Sequence, residues 1–192
     1  MCGLARESDE TDIATSFESL HRGHAVGELL KRYIIRPALV AAEYDLNLTT
    51  LGVGGNCHLD PMLLRDMRGQ PADLISTCVG INIYGGSTFN DRTFIPHVIG
   101  MIKTLREGHP LTPLMVVSPI SSPPRESEKN AVGMTLNDYR QQVKQTVQLV
   151  QQHDNDQHLF YHDGIQLFGS DLAHHMPDLL HPNGDGIHVL AK

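Results

Sequence analysis

Apolar and polar positions alternate along this chain in two rhythms. LNLTTLG (46–52) alternates and is β-branched, the pattern of a half-buried strand. DLISTCVG (73–80) is a continuous apolar run suited to a strand covered on both faces, and PLMVVSP (113–119) is a buried strand of the same kind. HLFYHDG (158–164) predicts a further strand, and IATSF (13–17) fits a short first one. Between them lie helical segments. ELLKRYIIRPALVAAEY (28–44) is broken or restarted by Pro37, and PMLLRDMR (61–68) opens with proline in its first turn. RTFIPHVIGMIKTLRE (92–107) reads as helix, and TLNDYRQQVKQTVQLVQQH (135–153) puts Leu136, Tyr139, Val143, Val147 and Val150 on one face. A last helix starts after His181-Pro182-Asn183. SSPPRESEKNAVG (121–133) reads as a loop, and residues 1–12 as a disordered leader before a single domain over 13–192.

Strands joined by connections of helical length pair in parallel through right-handed crossovers. The predicted fold class is therefore α/β, a three-layer helix–sheet–helix sandwich around a mainly parallel sheet. In such sheets the site lies beyond the carboxyl ends of the strands, so the residues just after each strand carry the information.

Composition narrows the function classes. The 192 residues fit one domain, and 40% apolar with 19% charged residues is a globular balance. Aromatics are 5% with no Trp, and the net charge is −7 with Lys and Arg scattered singly. That argues against stacking platforms and against nucleic-acid binding. Three cysteines (Cys2, Cys57, Cys78) without paired spacing suit a reducing compartment, with Cys57 and Cys78 as small buried apolar groups. The polar, acidic start is unlike a secretory signal, and no apolar run reaches the length of a membrane span. The expectation is a soluble cytoplasmic protein. Twelve histidines, with His174, His175, His181 and His188 crowded near the end, raise a metal-binding alternative. There is no Cys-x-x-Cys or His-Glu-x-x-His spacing, and no metal or cofactor is expected.

Three strand ends carry candidate chemistry: GVGGNCHLDP (52–61), GINIYGG (80–86) and DLLHPNGDGIH (178–188). Glycines after a strand allow a tight turn and leave N–H groups aimed into a cleft. An Asn amide on such a turn can donate to a developing oxyanion. An Asp three residues before a His can orient the imidazole and leave its far nitrogen as a base.

In chain order these parts resemble the SGNH (GDSL-type) hydrolases, named for a Ser, a Gly, an Asn and a His in separate blocks. DLLHPNGDG resembles the last block, which implies Asp178 as triad acid and His181 as base. GIN (80–82) resembles the Gly-x-Asn block and implies Asn82 as an oxyanion donor, and VGGN (53–56) implies the backbone N–H of Gly55 as another. GGNCHLDP, GINIYGG and SPISSPPRE look like one bacterial subgroup, and the resemblance spans about residues 36–191. It implies a flavodoxin-like sheet and a serine esterase or acylhydrolase working on a small-molecule ester through an acyl-enzyme. Asn56, His58 and Tyr84 would border the cleft, with Asn56 and Tyr84 touching substrate. The Pro-rich loop 119–124 would cap the acyl pocket, and Arg125 reads as a solvated loop residue, with contact to a charged substrate as the alternative. The first block departs from the family's Gly-Asp-Ser-Leu. Its nearest counterpart is Phe17-Glu18-Ser19-Leu20, which points to Ser19 as nucleophile; Ser8 and Ser16 have poorer context. The alternative is an inactive relative that keeps Asp178, His181 and Asn82 but lacks a nucleophile. In this family the first strand lies inside the sheet, so some strand must fill that place.

Overall fold

The computed structural model describes residues 2–7, 35–51 and 54–190, with the backbone alone for 2–7, 35 and 36. Among the described residues five strands form one sheet: β1 (Cys2–Glu7), β2 (Leu46–Thr50), β3 (Leu74–Cys78), β4 (Leu114–Val117) and β5 (Leu159–His162), in the order β2-β1-β3-β4-β5. β3, β4 and β5 are parallel. β1 is antiparallel to both neighbours, pairing Gly3 with Thr50 on one side and Cys2 with Thr77 on the other. β2 and β3 therefore run the same way, and four strands end at one carboxyl edge. Residues 2–7, expected in a disordered leader, instead fill the inner place. The main-chain groups of β2 and β3 need ladder partners, and an inverted strand supplies them as well as a parallel one. The proposed strand 13–17 and the helical stretch 28–34 lie outside the described residues.

Among the described residues the helices are α1 (Ile35–Glu43), α2 (Pro61–Gly69), α3 (Ile81–Gly86), α4 (Asp91–Gly108), α5 (Leu136–Asp154), α6 (Gly164–Leu167) and α7 (Gly184–Leu190). Local signals start them. Asp60 caps α2 by accepting from the Met62 N–H, with Pro61 next in line. Asn90 with Thr93 forms a capping box on α4, and Thr135 with Asp138 another on α5. Pro37 sits in the first turn of α1, where a missing N–H removes no helical bond.

The main core packs Ile75, Leu114, Val116 and Leu159 of the sheet against α2, α4 and α5. All five residues of the predicted α5 stripe are buried there. β3, read as covered on both faces, alternates instead: Ile75 and Thr77 are buried while Ser76 and Cys78 are half-buried. A smaller cluster joins Phe168, Met176 and Leu190, with Ile120 packed against it. It ties α7 to the loop leaving β4. No helix among the described residues is long and apolar enough to cross a membrane.

Candidate active site

Each candidate residue among those described lies just beyond the carboxyl end of a strand or on a loop fastened there. Gly80 leaves β3 at φ 132, which a side chain rarely adopts. A Cβ there would lie 2.5 Å from Pro119 Cγ. This turn lets α3 begin at once and puts Asn82 in its first turn. Gly80→Ala should therefore destabilise the fold by about 1–3 kcal/mol or more in urea unfolding, from strain and overlap together.

The Cys57 N–H donates to Asn82 Oδ1 at 3.3 Å, so the turn after β2 is fastened to α3. With Oδ1 engaged, Asn82 Nδ2 faces the other way, and it has no hydrogen-bond partner among the described residues. The same holds for the Gly55 N–H, on a turn at φ 75. The His58 ring holds this turn from below. Its Nε2 lies 3.2 Å from the Gly55 carbonyl and its Nδ1 2.7 Å from Thr88 Oγ1. A carbonyl only accepts, so Nε2 carries the proton and Nδ1 receives the Thr88 hydroxyl. A Cβ on Gly86 would come within 2.8 Å of that ring. Asn56 is exposed and donates to the Gly54 carbonyl at 3.0 Å. Tyr84 is 8% exposed, and its hydroxyl donates to the Glu128 carbonyl at 3.1 Å. Burial raises its pKa, with Glu128 adding to the rise and Arg125 opposing it.

Asp178 and His181 form one compact turn. Asp178 Oδ1 accepts from the backbone N–H of Leu180 at 3.0 Å and of His181 at 2.7 Å. Its Oδ2 lies 2.6 Å from His181 Nδ1. The contact places the proton on Nδ1 and leaves Nε2 as an acceptor. Partial burial pushes the Asp178 carboxyl up, but the His181 backbone and ring hydrogen bonds and the Leu180 N–H outweigh it, leaving a net pKa of about 2 against an ordinary 3.8. The carboxylate thus adds stability that is present above the ordinary value and fades as the pH falls through about 2. The stability difference between the native chain and Asp178→Asn in urea should shrink as the pH falls below about 4. Both side chains remain largely exposed, His181 at 72%. Leu179 between them has φ 56, a left-handed conformation that costs a leucine about 1–3 kcal/mol.

The loop leaving β4 holds this turn in place. It forms a 3-10 turn over Pro123–Glu126, and Ser122 Oγ donates to the Leu179 carbonyl at 2.6 Å. Arg125, expected in solvent, donates to the same carbonyl at 3.2 Å. Arg140 of α5, 3% exposed, grips Glu126 with both terminal nitrogens at 2.8 and 2.9 Å. None of these partners is close in sequence, and a charge beside an apolar stripe ordinarily reads as solvated. Ser19 lies outside the described residues. The structure thus joins Asn82 to the Gly55 turn and Asp178 to His181, with loop 121–133 bridging the two pairs through Tyr84 and Leu179. Among the described residues, no group of three or more His, Cys, Asp or Glu side chains gathers as for a metal.

Residues 20–188 match the model of the GDSL-like lipase/acylhydrolase family. The chain belongs to this family. Solved structures share the fold. One is a salicylyl-acyltransferase, SsfX3, from a tetracycline biosynthetic pathway, 34% identical with a TM-score of 0.71 over 80% of this chain and 45% of that one. A protein from Lactobacillus plantarum is 21% identical, with a TM-score of 0.61 over 82% of this chain and 83% of that one. A candidate GDSL-like lipase from Bacteroides ovatus is 18% identical, with a TM-score of 0.60 over 73% of this chain and 39% of that one. The chain spans less than half the length of the acyltransferase and of the Bacteroides protein. Among curated proteins none matches significantly. Membership of the GDSL-like family accounts for the α/β architecture, with β3, β4 and β5 parallel and helices packed on the sheet.

Proposed function

We propose that this GDSL-like chain cleaves a carboxylic ester through an acyl-enzyme, with His181 as base, Asp178 as its partner and Ser19 as nucleophile. One observation carries the reading: the 2.6 Å contact between Asp178 and His181 Nδ1, which leaves Nε2 as a proton acceptor. His181 Nε2 takes the serine proton as Oγ bonds to the ester carbonyl carbon. The carbonyl π pair moves onto oxygen, and the Gly55 N–H and Asn82 Nδ2 receive that charge. As the tetrahedral species collapses, the bond to the alcohol breaks and His181 returns the proton to the leaving oxygen. Water then repeats the cycle and releases the acid. If an alcohol takes the place of water the outcome is acyl transfer, the activity named for SsfX3.

The inverted β1 favours a second reading, an inactive relative. A parallel first strand would deliver its following turn to the carboxyl edge, whereas β1 brings its own beginning there, with Cys2 opposite Thr77. Hydrolysis of p-nitrophenyl acetate by the native chain, Ser19→Ala and Asn82→Ala separates the two. The esterase reading expects turnover that Ser19→Ala abolishes and Asn82→Ala lowers about 10²–10³-fold. Absence of turnover in the folded native chain favours the inactive relative.

A further inference from the structure

Leu179 stands between the carboxylate and the imidazole, so whatever fixes its backbone fixes their relative placement. Its carbonyl accepts two hydrogen bonds, from Ser122 Oγ at 2.6 Å and Arg125 Nη1 at 3.2 Å. The two donors are themselves joined, Arg125 Nη1 to Ser122 Oγ at 2.8 Å. A hydroxyl has one proton; here Ser122 gives it to Leu179 while accepting from Arg125, so its hydroxyl geometry is set. Ser122 is 1% exposed, which removes water as a competitor. The Ser122 N–H donates to Glu126 Oε1 at 3.0 Å, and that carboxylate is held by the buried Arg140. The line therefore runs from a 19-residue helix to the turn that carries the acid and base. A leucine at φ 56 persists only where its surroundings over-determine it, and these two bonds do so.

We infer that Ser122 and Arg125 are positioning residues, which clamp Leu179 so that the Asp178–His181 pair keeps one orientation toward the reacting ester. The catalytic half of this role rests on the reading of His181 as base. The clamp itself acts on the turn whether or not an ester is present.

The test uses the full chain with Ser122→Ala, Arg125→Met, Arg125→Lys, His181→Ala and the distant surface control Lys103→Met. Four quantities are read: kcat and KM for p-nitrophenyl acetate, the Asp178 carboxyl titration by ¹³C NMR, and Tm. Ser122→Ala and Arg125→Met should each lower kcat about 10–100-fold with KM nearly unchanged, because a displaced base loses the reacting geometry rather than binding. In both, the Asp178 midpoint should climb from about 2 toward the ordinary carboxylate range as the turn loosens. Arg125→Lys, which keeps a donor, should recover part of kcat, and Lys103→Met should match the native chain. Unchanged kcat in both clamp variants overturns the inference. So does a loss of kcat with an unmoved Asp178 titration, since the loss then does not pass through the pair. If His181→Ala turns over as fast as the native chain, the base reading fails instead. The titration then decides the clamp alone: an upward move supports it and a fixed midpoint overturns it.

Discussion

His181→Ala should lower kcat/KM for p-nitrophenyl acetate by about 10⁴-fold or more while the chain stays folded. The imidazole is 72% exposed, so its removal opens no cavity and leaves the packing intact. What disappears is the proton acceptor, and without it the serine attacks as a neutral hydroxyl. The residual rate comes from oxyanion stabilisation and binding, and groups that act as one unit lose nearly everything when one is removed. Asp178→Asn should fall short of this loss, since an amide keeps the turn's shape while losing the charge that stabilises the imidazolium. Steady-state kinetics with circular dichroism as a check on folding measures both.

Arg140→Met should produce the largest loss of stability, about 3–5 kcal/mol. The guanidinium is 3% exposed and satisfies Glu126 through two hydrogen bonds. It also donates to the Pro119 carbonyl at 3.1 Å and the Ile120 carbonyl at 3.4 Å. Removing it leaves a partly buried carboxylate without its countercharge and two carbonyls without this donor. For a chain of this length the change lowers Tm by roughly 6–20 °C. Glu126→Gln added to Arg140→Met should cost less than the two single changes together, because the charge stranded by the first is gone. Thermal unfolding of the four proteins closes that cycle.

How much was legible in the sequence follows from how local each cause is. β2 to β5 and the long helices were readable because alternation, apolar stripes and caps are written within each segment. Asp178, His181, Gly55 and Asn82 were named by the resemblance of three strand-end strings to the blocks of the GDSL-type family, since each string alone is a weak signal. CGLARE did not read as a strand, because only the place between β2 and β3 makes it one. INIYGG read as a strand-end turn, and its six helical residues are too few to display a period. Arg140 was invisible for a different reason. It adjoins Tyr139 on the apolar stripe, and its partner Glu126 lies 14 residues earlier in a Pro-rich loop. Arg125 likewise looked solvated until Leu179, 54 positions on, folded against it.

The most direct measurement is covalent labelling with a fluorophosphonate, followed by peptide mapping, on the native chain and His181→Ala. The account predicts a single adduct on a serine, Ser19, formed by the native chain and absent from His181→Ala. A folded native chain that takes no label, or one that His181→Ala takes equally well, would contradict it.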